Sequence, residues 1–308
     1  MFITNKKKYP MIAVDTIKHL RAKYNKGDAD HSITELVGSP LHKILEERHH
    51  DELEVDIDTL FFMFGGDMAH YVVENAVLDY IMYKEHRMFV KINGVTVSGK
   101  LDIVYRESEN INLDDIKWTG KSVADKPLRK SWGRQANAYR YMLSETEGVT
   151  ADSLGILAFY RNATMFDRKF DRLPVKMFTM DKVREFLEKQ IAFHKLCRSD
   201  MVAQIPECTP DDRWIVPEHW KVKKNKAAKR SLRNHATLAG ATEHLDNATS
   251  DKYPDAVMEH HVAYNRKCEE VCSVSKFCWW FQDLKKGYIT DSYNCVGEEV
   301  PERKKIGG

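Results

Sequence analysis

Asn93-Gly94 is the most constraining pair of residues in the chain, because it joins two runs in which apolar and polar residues alternate. Asn and Gly both tolerate the left-handed backbone of a two-residue hairpin turn. RMFVKI and VTVSGKLDIVYRES are therefore predicted to fold back on one another as antiparallel strands. A second turn around Ser108–Asn110 leads into INLDDIKWT, giving three consecutive antiparallel strands. A three-stranded meander needs cover for an apolar face, so helices are expected against it.

The flanking segments supply them. Asp67 is placed to cap a helix through MAHYVVENAVLDYIMYK, where Met68, Val72, Val73, Ala76, Val77, Tyr80 and Ile81 recur at three- and four-residue steps. After a loop containing Gly120 and Pro127, SWGRQANAYRYMLSETEG reads as a helix ending at Gly148. SLGILAFYR reads as a buried strand, KMFTM as one further strand, and DKVREFLEKQIAFHKLC as a helix with Asp181 at its start. The order helix, three antiparallel strands, helix, strand defines an α+β fold. Residues 1–60 read as a polar helical region, 61–200 as the core, and 201–308 as a basic, cysteine-containing subdomain.

Composition narrows the setting without choosing a function. The 308 residues carry 48 Lys plus Arg against 46 Asp plus Glu, a formal net charge of +2, with 43% hydrophobic and 31% charged residues. Those proportions exclude collagenous, low-complexity and wholly disordered chains. No apolar run approaches the ~18 residues of a membrane helix, and MFITNKKKYP has no apolar stretch after its lysines. The chain is expected to work in the cytoplasm, away from membranes.

Chemistry concentrates on two strands. Asp102 follows Gly99 in SGKLD, and Asp115-Ile116-Lys117 lies in the next strand. Strand side chains alternate faces, so Asp115 and Lys117 share one face while Asp114 shares the other with Ile116. A hairpin between these strands can bring Asp102 and Asp115 to one divalent cation, and two hard carboxylates suit Mg²⁺ or Mn²⁺. A neighbouring ammonium fits phosphoryl chemistry, orienting water and stabilising charge on oxygen. Taken alone, an Asp-x-Lys on a strand is more often simply a solvated pair.

Gly99-x-x-Asp102 followed by Asp115-Ile116-Lys117, in this order of elements, resembles the PD-(D/E)xK nuclease superfamily, in particular its RecB, Cas4 and phage exonuclease-like branch. That branch carries Gln-x-x-x-Tyr on the helix after the lysine strand, matched by Gln135 and Tyr139, which share a helix face at i, i+4. It also carries a histidine on the preceding helix, matched by His70 in GDMAH. The resemblance covers about residues 60–200, and no proline precedes Asp102. It implies a restriction-endonuclease-like core and a Mg²⁺- or Mn²⁺-dependent deoxyribonuclease, exonuclease in type, acting in recombination, repair or phage DNA processing. DNA is the implied substrate, recombination or replication proteins the implied partners, and a bacterial or phage-infected cell the implied setting. His70, Asp102, Asp115 and the Ile116 carbonyl are the implied metal ligands. Lys117 is the implied catalytic lysine, with Gln135 and Tyr139 positioning it or the DNA backbone. The alternative is a noncatalytic DNA-binding or scaffold module on the same fold; sequence-specific restriction cleavage is a third reading.

All six cysteines lie at or beyond residue 197, three of them as Cys268, Cys272 and Cys278. This spacing reads as a metal or iron–sulfur site. Cys208 is the first choice for a fourth ligand, with Cys295 and His260 or His261 behind it. Some relatives in the branch hold a [4Fe–4S] cluster with one cysteine ahead of the nuclease motifs, which this chain lacks, so [4Fe–4S], Zn²⁺ and free thiols all stay open. The basic run Lys221, Lys223, Lys224, Lys226, Lys229, Arg230 and Arg233 reads either as a solvated helix face or as a DNA phosphate contact. Trp214 and Trp220 nearby read as stacking platforms or as core.

Overall fold

The computed structural model describes residues 2–22, 27–199 and 201–291. It divides into two compact units, Met1–Cys208 and Thr209–Gly308. The first is mixed α+β. Its elements run β1 (Phe2–Thr4), α1 (Met11–Ala22), β2 (His31–Ser32), α2 (Ile33–Leu36), α3 (Pro40–Arg48), β3 (Glu54–Asp56) and α4 (Ile57–Asn75). There follow β4 (Ile81–Ile92), β5 (Val95–Glu107), β6 (Asn110–Thr119), α5 (Lys130–Glu147), β7 (Ser153–Tyr160), β8 (Phe170–Val175) and α6 (Met180–Ser199).

Turn chemistry sets the register of the main sheet. Asn93 and Gly94 both take positive φ, +50° and +82°, and close β4 on β5 at Ile92↔Val95. Ser108, at φ +54°, closes β5 on β6 at Glu107↔Asn110. The sheet order is β2-β5-β6-β7-β8, with β4 on the other edge of β5. β6 and β7 run parallel, and α5 makes the crossover between them. Val97, Leu101, Leu113 and Ile156 of the sheet form one core with Ala138, Met142 and Leu143 of α5 and Leu187 of α6, all at most 2% exposed.

One edge of β5 is shared. β2 pairs there at Val97 and Ser98, and β6 pairs from Ile103 to Glu107. Residues 99–102 between them belong to neither ladder on that side. Gly99 stands in the gap because α5 presses on it: an added Cβ would lie 2.6 Å from Met142 Sδ and 3.1 Å from the Tyr139 ring. Gly99→Ala is accordingly expected to lower stability by ~1–3 kcal/mol, the usual cost of overpacking. A thermal melt unchanged from the wild type would show that the contact yields freely.

Three sequence expectations need correction. The helix expected from Asp67 onward begins ten residues earlier, at Ile57, where the Asp56 carboxylate caps it by accepting from Asp58 N at 3.1 Å, and it stops at Asn75. Ile81 and Tyr83 are extended instead, because β4 pairs with β5 as far as Tyr105; long-range pairing overrides the helical spacing. The strand expected at KMFTM is β8 at Phe170–Val175, an edge strand, where Pro174 has no N–H that an inner position would need. The polar N-terminal region places Ile33, Leu36 and Val37 in the main core.

The second unit contains α7 (Pro210–Arg213), β9 (Ile215–Val216), β10 (His219–Lys223), β11 (Arg233–His235), α8 (Leu238–Asp251), β12 (Val257–His261), β13 (Tyr264–Asn265), α9 (Arg266–Glu270) and α10 (Trp279–Lys285). Its three-stranded sheet is antiparallel in the order β11-β10-β12. Arg213 stacks 4.1 Å from the Trp280 ring and reaches Asp291 at 3.4 Å, and Asn265 donates to the same carboxylate at 2.8 Å. No helix among the described residues is long and apolar enough to cross a membrane.

Candidate metal centre

The edge gap in β5 is where the acidic residues meet. Beyond Ile103↔Asp114, the last β5–β6 pair, the next opposed positions are Asp102 and Asp115. The ladder does not continue there. The Asp102 carboxylate enters the gap and accepts from Ile116 N at 2.6 Å, in place of a strand carbonyl. In an extended strand the N–H and C=O of one residue point to the same side, so the Ile116 carbonyl faces β5 as well. On the other edge, Lys84↔Ile103 and His86↔Leu101 flank Glu85 and set it opposite Asp102. Three carboxylates thus occupy one row across β4, β5 and β6.

Helix α4 brings His70 to this row. Its Nδ1 lies 2.9 Å from Glu85 Oε1 and 3.5 Å from Asp102 Oδ1. The helix approaches closely because Gly65 packs on Trp118, where a Cβ would come within 2.4 Å of the indole. Glu85 also pairs with Lys100. Donor atoms of His70, Glu85 and Asp102 all lie within 4.8 Å of one another.

The other side belongs to Asp115. It is 1% exposed, and its one close polar contact is the charged hydrogen bond from Lys117 Nζ at 2.6 Å. Lys117 donates to Gln135 Oε1 at 3.5 Å, and Gln135 Nε2 donates to the Tyr139 hydroxyl at 2.9 Å. Thr34 of α2 bonds the same hydroxyl. Asp114, next in sequence and equally buried, does something different: Arg172 Nε bonds it at 2.9 and 3.0 Å and the Tyr105 hydroxyl donates to it at 3.1 Å.

Electrostatics follow from this crowding. Burial, then the Asp115 charge, push the Asp102 carboxyl up to about 7. Burial pulls His70 down, but its bond to Glu85 and the Asp102 charge outweigh that and raise it. Burial likewise opposes the charged form of Lys117, yet Asp115 and Asp102 hold its pKa above the ordinary lysine value. Lys117 is therefore an ammonium, a donor rather than a base. Two buried, opposed carboxylates, one of them bonded by Lys117 alone, fit a hard divalent cation, which provides the charge and ligation they lack.

Asp102→Asn removes one of the two like charges while keeping an acceptor for Ile116 N–H. Since the Asp102 pKa is raised on folding, the native state holds its proton from about pH 4 to about pH 7 while the unfolded chain releases it, and stability drains away across that window. In chelator, the asparagine variant should match the wild type near pH 4 and exceed it by roughly a few kcal/mol above pH 7. It should also lose stabilisation by Mn²⁺. Melting curves at several pH values check both, and a constant difference across the range would contradict the like-charge account.

Of the residues singled out in the sequence, the structure brings His70 to Asp102, Asp102 to Ile116, and Asp115 to Lys117, Gln135 and Tyr139. The group of three donors, however, is His70, Glu85 and Asp102, where the family resemblance implied Asp115 beside His70 and Asp102. Glu85 lies ahead of the alternation that begins at Arg87, so that pattern alone does not pick it out. Counting back from the Asn93-Gly94 turn reaches it: if Ile92 opposes Val95, Glu85 opposes Asp102.

Cys208 falls in the first unit, where it donates to Ser39 Oγ at 3.2 Å, and Cys268, Cys272 and Cys278 fall in the second. Among the described residues the two groups of three donors within 4.8 Å contain no cysteine. Cys295 lies outside the described residues. The basic run is not a helix face. Lys221 and Lys223 lie on β10, Lys224, Lys226, Lys229 and Arg230 in the loop before β11, and Lys223 is paired with Glu259 at 2.7 Å. Trp220 stacks on His260 at 5.0 Å, and Lys267 lies 5.9 Å from the Trp214 ring.

No protein-family model matches the chain, and no curated protein sequence does. Among solved structures it is similar to the protein SSO0001, at 15% identity over 59% of this chain and 86% of that one, with a TM-score of 0.43. It is also similar to a candidate exonuclease from Eubacterium rectale, at 11% identity over 62% of this chain and 74% of that one, with a TM-score of 0.28. At these scores neither likeness establishes a shared fold.

Proposed function

We propose that this chain is a metal-dependent DNA nuclease of the PD-(D/E)xK type, hydrolysing phosphodiester bonds from DNA ends. The observation that carries the reading is the opposition of Asp102 and Asp115 across an opened ladder, with the Lys117 ammonium 2.6 Å from Asp115. The run α4, β4–β6, α5, β7, with β7 parallel to β6, supports a restriction-endonuclease-like core.

Asp102, Asp115, His70 and the Ile116 carbonyl would hold the cation, with Glu85 beside them. When bound, Mg²⁺ or Mn²⁺ supplies Lewis acidity toward water and phosphate oxygen. The chain's own groups do the positioning. Lys117, kept charged by the two aspartates, donates to a non-bridging phosphate oxygen and stabilises its developing charge. Gln135 holds that ammonium, and Tyr139 holds Gln135, so the donor is already in place before substrate arrives. Glu85 fixes the His70 ring through Nδ1.

The same reading takes Cys268, Cys272 and Cys278 as ligands of a structural [4Fe–4S] cluster or Zn²⁺. It takes Lys221, Lys224, Lys226, Lys229 and Arg230 as contacts to the DNA backbone.

Incubating end-labelled linear DNA and covalently closed circles with Mg²⁺ or Mn²⁺ tests the proposal. Linear DNA should be degraded from its ends and circles spared. Cut circles would point to restriction-type cleavage, and binding without cleavage of either would leave a scaffold module.

A further inference from the structure

A second donor cluster lies in the first unit, away from the acidic row. His31 on β2, Glu35 on α2 and His194 on α6 place donor atoms within 4.8 Å of one another. Their side chains are 7%, 4% and 1% exposed. His31 Nδ1 lies 2.7 Å from Glu35 Oε1, and the two imidazoles meet edge to face at 5.6 Å between centroids. His194 is the anomaly. Its Nδ1 stands 3.9 Å from Glu35 Oε1, beyond hydrogen-bond reach, and its Nε2 is buried with no partner.

We propose that His31, Glu35 and His194 form a zinc site of three protein ligands. Two imidazoles and one carboxylate are a zinc donor set, whereas Mg²⁺ and Mn²⁺ favour oxygen ligands, so the two clusters select different cations. A zinc ion ~2.0–2.1 Å from each donor sets the donors about 3.3 Å apart. That is wider than the present His31–Glu35 contact and closer than the Glu35–His194 one. Binding therefore replaces the His31–Glu35 hydrogen bond and draws His194 in. Arg198 reaches Glu35 and Glu47, each at 3.2 Å, and holds the carboxylate from outside. The three ligands tie residues 31–35 to α6, and Thr34 in that segment bonds Tyr139. The zinc would thus brace the support of Tyr139 without touching substrate.

The full chain, stripped with chelator and held in excess Mg²⁺ to fill the acidic site, is titrated with Zn²⁺. The wild type should retain one more equivalent of zinc after gel filtration than His31→Ala or His194→Gln. Zinc should raise the wild-type melting temperature by about 5–10 °C and leave the variants' unchanged. Any zinc bound by cysteines is common to all three proteins and cancels. Equal zinc retention, or no zinc-dependent rise in the wild type, overturns the site. If a variant fails to fold, Co²⁺ added to the wild type must produce visible absorption of nitrogen- and oxygen-ligated cobalt; its absence overturns the site equally. None of these readouts depends on DNA cleavage, so a chain without nuclease activity could still hold this zinc.

Discussion

Asp115→Ala is expected to reduce metal-dependent DNA cleavage by at least about 10²–10³-fold, the cost of removing one preorganised charge from a phosphoryl site, while the chain stays folded. Most buried carboxylates cannot be removed so cleanly, because they anchor hydrogen bonds. Asp115 anchors one, from Lys117, whose side chain is 23% exposed and gains water when the partner is removed. Its neighbour supplies the control. Asp114→Ala removes the acceptor that Arg172 Nε and the Tyr105 hydroxyl share, and losing hydrogen bonds to a charged group costs roughly 1.5–3 kcal/mol. The adjacent substitutions should fail in opposite ways: Asp115→Ala folded and inactive, Asp114→Ala destabilised, with any loss of activity tracking the unfolded fraction. Circular dichroism, thermal melts and cleavage rates on linear DNA separate the two. Wild-type cleavage by Asp115→Ala would remove the site assignment.

Lys117→Met is expected to cost a similar factor in cleavage while metal binding survives. With the ammonium gone, the Asp115 carboxylate has no competing cation, so Mn²⁺ should bind at least as tightly as to the wild type. Activity and binding then part company, as a donor to phosphate requires and a metal-supporting role does not. Calorimetric titration with Mn²⁺ beside a cleavage assay reads both quantities. A folded variant that loses Mn²⁺ along with activity would make Lys117 a structural support.

The legible parts of this chain were local. Two residues at 93–94 close one hairpin, Ser108 closes the next, and the resulting registers place Asp115 and Glu85 opposite Asp102 by counting alone. Alternation separates the Asp115–Lys117 face from that of Asp114, and helical spacing sets Gln135 beside Tyr139. Where helix periodicity competed with strand pairing, around residues 76–84, the local pattern misled, because pairing with β5 satisfies backbone groups that an isolated amphipathic segment cannot.

Turn residues, spacing and alternation act over a few residues, and through them the sequence alone determined the meander and the residue types gathered on it. Packing decided the rest. It opened the β5–β6 ladder at Asp102, left Asp115 dry beside Lys117, and joined His31 to His194, far apart in the chain, as each approaches Glu35. Burial and desolvation are properties of the whole assembled core, and no short stretch of chain carries them.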